Sequence, residues 1–203
     1  MQEVARTPEL RLEILAAFAE AQRERPDLDA PDGWATLAPT LLAVADAAVR
    51  QRAADAAQAF GDGSLAPLFR ERLADPQVAT DKRLQTLEAL VRLRDADTGP
   101  LLARLLDDAA VRRAALAGLA NYDLPAATQR ILAVLPQLEP TDREVALTTL
   151  ASRAASAKAL LDAMLAETVS QRLLDAVSLR RQLQALGDRE VDTLLQRAWG
   201  RSL

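Results

Sequence analysis

The chain has 203 residues and a formal net charge of −4, and Ala (43) and Leu (37) fill 80 of its positions. Val (11), Ile (2) and Thr (12) together number only 25 and aromatics are 3%, which excludes a sheet-built core, because strands draw on β-branched and aromatic side chains. A hydrophobic fraction of 50% beside 27% charge excludes wholesale disorder, so the composition is that of an all-α protein.

In chain order the sequence divides into short helical segments. Thr7-Pro8-Glu9 supplies an N-cap, a proline suited to the first turn and an acid near the positive helix end. Leu12, Leu15 and Phe18 follow at helical spacing until the loop that runs from Pro26 to Gly33. Later stops stand at Gly61, Asp75-Pro76, Gly99-Pro100, Pro125, Pro136, Pro140 and Gly187. Between them the pattern predicts about twelve helices, over 8–24, 33–45, 47–60, 64–74, 80–94, 98–106, 109–121, 125–135, 141–152, 154–167, 170–186 and 188–199. The longest run without a formal charge spans 33–45 and contains Pro39, too short and too interrupted for a bilayer-spanning helix.

The segments repeat. Arg-x3-Leu-x2-Leu occurs as Arg83/Leu87/Leu90, Arg112/Leu116/Leu119 and Arg143/Leu147/Leu150, with weaker versions at Arg52/Ala56/Ala59 and Leu179/Leu183/Leu186. The central positions 56, 87, 116, 147 and 183 are separated by 31, 29, 31 and 36 residues. That period is one helical hairpin per repeat, and a hairpin that cannot bury its own apolar stripe stacks on its neighbour into a solenoid. The expected architecture is therefore a right-handed α-solenoid of about five to six hairpins, one domain over 1–203, with capping helices in 1–30 and 188–203. Alanine at contact positions lets helix axes approach closely, and leucine fills what remains. In this register Leu116 and Leu147 are both core residues, each costing about 2–5 kcal/mol when cut to alanine.

Two stretches, 41–62 (LLAVADAAVRQRAADAAQAFGD) and 105–123 (LLDDAAVRRAALAGLANYD), resemble HEAT repeats: an apolar helix end, an Asp turn, Val-Arg opening a second helix, then Ala/Leu periodicity. In that family the turn Asp and the second-helix Arg form a ladder between repeats. The resemblance implies such a role for Asp46 with Arg50 and for Asp108 with Arg112. The segments 112–153 and 181–200 are similar, more narrowly, to the helical-repeat region of PVC-type haem-binding CxxCH proteins. There it lies between a propeller-type, sorbosone/glucose-dehydrogenase-like domain and a C-terminal c-type cytochrome domain. This chain carries no Cys-x-x-Cys-His, so the resemblance implies a spacer role without haem or redox chemistry.

Chemistry-bearing residues are sparse. With no Cys and no His, the chain has no disulfide, no Cys/His zinc set, no haem-attachment motif and no Ser–His or Cys–His nucleophile. No cofactor and no catalytic set is expected. Asp27, Asp29 and Asp32 are spaced like the start of a calcium loop, but an EF-hand beginning at Asp27 needs Gly where Asp32 stands and Glu where Ala38 stands. The plainer reading is an inter-helix loop with capping acids. Gly61-Asp62-Gly63-Ser64 lacks the Lys and the spacing of a phosphate loop and reads as a helix stop followed by a cap. Arg50, Arg83, Arg112, Arg113, Arg143, Arg180 and Arg181 recur near the starts of second helices. They read as a concave, anion- or peptide-binding groove or, in the favoured reading, as an Asp–Arg ladder with solvated charge. Trp34 is expected to pack the first hairpin, Trp199 to seal the last helix, and Tyr122 to stand half exposed at a helix exit.

A non-catalytic scaffold that spaces or docks protein partners or neighbouring domains fits these features. The alternative is a stand-alone adaptor binding a peptide or protein on the concave face. The enzymatic alternative, a HEAT-like alkylpurine DNA glycosylase, needs a basic concave face rich in aromatics. An isoelectric point near 5.0 speaks against it and against nucleic-acid partners generally. MQEVARTPEL contains no apolar export core, which points to the cytoplasm, whereas the narrower resemblance implies export.

Overall fold

The computed structural model describes residues 8–25, 29–42, 44–60 and 63–200. Among them are twelve α-helices and no strand. They are α1 (Pro8–Glu24), α2 (Trp34–Leu42), α3 (Ala47–Ala59), α4 (Ala66–Ala74), α5 (Thr80–Leu93), α6 (Thr98–Arg104), α7 (Arg112–Leu119), α8 (Pro125–Val134), α9 (Pro140–Leu150), α10 (Ala154–Leu165), α11 (Val177–Ala185) and α12 (Arg189–Gly200). The expected capping role of Thr7, the residues 26–28 and the Gly61-Asp62 stop lie outside the described residues.

Proline sets several starts. Pro125 and Pro140 open α8 and α9 at positions whose N–H has no helical partner, so nothing is lost there. Pro76 forces Asp75 into extended backbone (φ −78°, ψ 112°) and ends α4. Pro39, by contrast, lies within α2 without ending it. The single helix expected over 170–186 is two pieces: a 3-10 turn at Gln171–Asp175, an extended Ala176 (φ −67°, ψ 113°), then α11.

Two helices end on a left-handed residue that is not glycine. Arg94 (φ 52°) follows α5 and Glu167 (φ 62°) follows α10. In each, paired backbone bonds close the helix end: Asp95 N–H to Leu90 O and Arg94 N–H to Val91 O, then Thr168 N–H to Ala163 O and Glu167 N–H to Met164 O. A Cβ in this conformation crowds the following carbonyl, which glycine avoids. Arg94→Gly and Glu167→Gly should each raise the unfolding free energy by about 0.5–1 kcal/mol in urea titration. A loss of stability would show that the side chains themselves hold these turns.

Every substantial helix–helix contact joins elements one or two places apart in chain order. The odd-numbered helices touch in succession from α1 to α11, and the even-numbered ones from α4 to α12. Between the two rows α2 pairs with α3, α4 with α5, α6 with α7, α8 with α9 and α11 with α12. The repeated leucines supply the core: Leu87, Leu90, Leu116, Leu119 and Leu150 are buried, as are Leu179 and Leu183. Leu147 departs from the expected register. It is only half-buried, packed against the edge of the core while also lining a cleft between α9 and α11. In the weakest copy of the motif Ala56 is buried, but Ala59 is exposed. The first three helices close on an aromatic cluster in which Phe18, Trp34 and Phe60 meet edge-on, with ring centroids 5.1–6.2 Å apart.

Successive odd-numbered helices are also tied through their ends. The last turn of α7 tightens, Ala120 N–H bonding Ala117 O at 3.2 Å rather than reaching back to Leu116. Thr149 of α9 donates its hydroxyl to Leu116 O at 2.8 Å, and Arg153 Nη2 donates to Ala120 O at 3.0 Å. One hairpin later, Gln182 Nε2 of α11 donates to Thr148 O of α9 at 2.9 Å. Carbonyls that a helix end leaves without a donor are thereby satisfied by the next repeat.

Candidate functional site

The recurring arginines have a shared local task. Each helix end leaves carbonyls without intrahelical donors and carries partial negative charge, so a cation placed there is stabilised twice. Arg50 Nη1 donates to Val44 O and Ala45 O, both at 2.7 Å, just past α2. Arg83 Nε donates to Leu73 O of α4 at 2.8 Å. Arg112 Nε donates to Leu106 O at 2.7 Å, and Arg143 Nη2 to Leu138 O at 2.7 Å. All four thus hold the end of the preceding helix from the start of the next.

The acidic partners differ from those expected. Asp46 caps α3, its Oδ1 accepting from the N–H of Ala48 at 2.8 Å and of Val49 at 3.2 Å, while Arg50 turns to the carbonyls. Asp108 is bridged to Arg83, one hairpin earlier, at 2.7 Å, and not to Arg112. Arg113 Nε meets Asp142 of α9 at 2.8 Å, with Arg112 Nη1 at 3.8 Å. The ladder therefore runs Arg83–Asp108, then Arg112/Arg113–Asp142. Arg83 is 2% exposed, so it lines no groove, whereas the Arg113 side chain is 63% exposed. The hydrogen bond from Arg83 holds the Asp108 carboxyl below its ordinary value.

A second set of rungs escaped the sequence reading. Arg70 of α4 bridges Asp95 at 2.6 Å, and Thr98 Oγ1 donates to the same Asp95 oxygen at 2.7 Å. Burial pushes the Asp95 carboxyl up, but the bonds from Arg70 and Thr98 outweigh it and its pKa falls. The separation of 25 residues is the same for Arg70/Asp95 as for Arg83/Asp108, a signal that was present in the sequence. Arg72 of α4 and Lys82 of α5 meet Asp55 of α3 at 3.0 and 3.8 Å, and Lys158 of α10 meets Glu190 of α12 at 2.6 Å.

A half-open cleft of about 370 Å³ lies between α9, α11 and the 3-10 turn before α11. Among the described residues, Leu147, Leu173 and Leu179 give it an apolar lining, Arg143 and Arg172 are its cations, and Glu144 is its carboxylate. Among the described residues, Arg172 is exposed and has no carboxylate within ion-pair distance. The closed end of the cleft is fixed by the Gln182–Thr148 bond. The two exposed large apolar side chains among the described residues, Val177 and Trp199, belong to α11 and α12.

The remaining singled-out residues are structural. Trp34 is buried in the aromatic cluster. Trp199 is 38% exposed, with the Arg180 guanidinium 4.4 Å above its ring, so it is stacked rather than sealed. Tyr122 is half-buried against Gly99, where an added Cβ would lie 3.1 Å from the ring, and burial pushes its phenol up. Asp29 and Asp32 are exposed, Asp27 lies outside the described residues, and no metal-binding group of acids stands among the described residues. Gly63 and Ser64 fall in a 3-10 turn at Gly63–Leu65. No helix among the described residues is long and apolar enough to cross a membrane.

Comparison of the chain with protein-family models, with curated proteins and with solved structures finds no match.

Proposed function

We propose that the chain is a right-handed α-solenoid of HEAT-like hairpins that acts as a non-catalytic scaffold, docking protein partners or neighbouring domains. The observation that carries this reading is the succession of contacts: each helix packs on those one and two places away, as stacked hairpins require. The Arg–Asp rungs stiffen the stack and make no chemistry of their own.

Two measurements test the reading. Small-angle scattering should give a radius of gyration clearly above the roughly 17 Å of a compact chain of this length, and a value at or below that would refute the solenoid. Cross-linking in the source cell, followed by intact-mass analysis, should recover the segment bound to other proteins or within a larger chain. Haem on that larger chain would mark the spacer role that the narrower resemblance implies. Recovery of a lone monomer with no cross-linked partner would refute the scaffold.

A further inference from the structure

The α9–α11 junction is one of the thinner contacts in the row of odd-numbered helices and holds a cleft. By contrast, α7 and α9 are tied through the Thr149 and Arg153 bonds. Between α9 and α11 a single side-chain bond, from Gln182, closes one end, and the other end opens towards the N-terminal turns of both helices. The 3-10 turn and the extended Ala176 lie on the rim of this opening, with Arg172, Leu173 and Ala176 in its lining.

The lining states what fits. About 370 Å³ lies within the range of ligand-holding clefts and is wide enough for one or two large side chains. The floor of Leu147, Leu173 and Leu179 rewards an apolar group. Among the described lining residues Arg143 and Arg172 outnumber Glu144, and α11 has no side-chain cap over its partly positive N-terminal turn. Arg143 spends Nη2 on Leu138 O and keeps other donors, while Arg172 keeps its full fork. A basic segment would meet the same charge and be repelled.

We propose that this cleft docks an extended acidic–apolar peptide segment of a partner protein, its apolar side chain on the leucine floor and a neighbouring carboxylate paired with Arg172 and Arg143. The assignment rests on the scaffold reading and deepens it by naming the face and the partner chemistry.

Selection of short random peptides displayed on phage, against the full chain, tests it. Enriched sequences should place Asp or Glu beside a large apolar residue. Measured by fluorescence anisotropy, their affinity should fall at least about tenfold on Arg172→Glu, which touches only an exposed side chain, and should weaken as salt rises. Leu147→Asp should act in the same direction, with circular dichroism verifying its fold. Arg104→Glu, an equal change of charge at an exposed site on α6, should leave binding within about twofold. Enrichment of basic or uncharged sequences, of none, or of peptides indifferent to Arg172→Glu would overturn the assignment. Peptides that bind but ignore the cleft variants would sink this site and leave the scaffold standing. Cross-linking that recovers no partner would sink the scaffold itself.

Discussion

Leu116→Ala should lower the unfolding free energy by about 2–5 kcal/mol, one of the largest single-site losses available in this chain. Leu116 has no exposed surface and lies in α7, which packs against α5, α6 and α9. Truncation there opens a cavity walled by stacked helices that cannot collapse without sliding past one another. Leu147→Ala, at the matching place in the next copy of the motif, should cost clearly less, because half-buried Leu147 faces the cleft. Urea titration of both variants measures the contrast. Equal losses would mean that the cleft is closed in solution and that α11 lies flush on α9.

Asp108→Asn should cost about 1.5–3 kcal/mol at neutral pH, the range of a hydrogen bond to a charged group. A fully buried pair would lose more, but the Asp108 side chain is 30% exposed and water screens part of the effect. The cost falls on Arg83, which is left buried with Leu73 O as its remaining bonded acceptor. The pH dependence follows from the direction of the shift. The Asp108 carboxyl is held below its ordinary 3.8 in the folded chain, so above that value the folded state gains the full benefit of the pair. As pH falls through the lower folded value, the proton is taken up and the benefit is lost. The gap in stability between wild type and Asp108→Asn should therefore be full at neutral pH, narrow below about pH 4, and close in stronger acid. A gap that persists unchanged into acid would show that the asparagine disrupts the turn rather than the charge pair.

Helix periodicity and punctuation in the sequence mark all twelve helices, because Pro125, Pro140, Asp75-Pro76 and Gly187 act through their own backbone and need no neighbour. The repeat marks the core leucines for the same reason: spacing alone puts them on one face. What it does not carry is which residue of another hairpin meets a given side chain. Asp108 and Arg112 are near in sequence, yet Asp108 bonds Arg83, because hairpin stacking brings the start of α5 alongside the turn before α7. Leu147 obeys the motif but is only half-buried at the edge of the core, because burial also depends on where the following odd helix lies. The left-handed ends at Arg94 and Glu167 carry no sequence mark, since the surrounding bonds impose a conformation that their residue types do not favour. At the cleft Arg143, Leu147 and Leu179 carry a sequence signal, but as members of the repeated motif and not as a site. Arg172 and Leu173 stand in the 3-10 turn before Ala176, a break that helical periodicity runs straight across, and so carry no signal of the cleft they line.

The carbonyls of Leu116 and Ala120 take their donors from residues 33 places further on. This overlap decides how the chain can be divided. A fragment cut before α9 keeps α7 entire, yet hands those two carbonyls to water and leaves the last turn of α7 without its fixed end. The indivisible tile is thus longer than the repeat: the hairpin that ends in α7 is finished only by the last turn of α9 and the turn beyond. Slow amides near Leu116 would then exchange on the schedule of α9, and a graft of one hairpin into another stack would need to bring the equivalent of Thr149 with it.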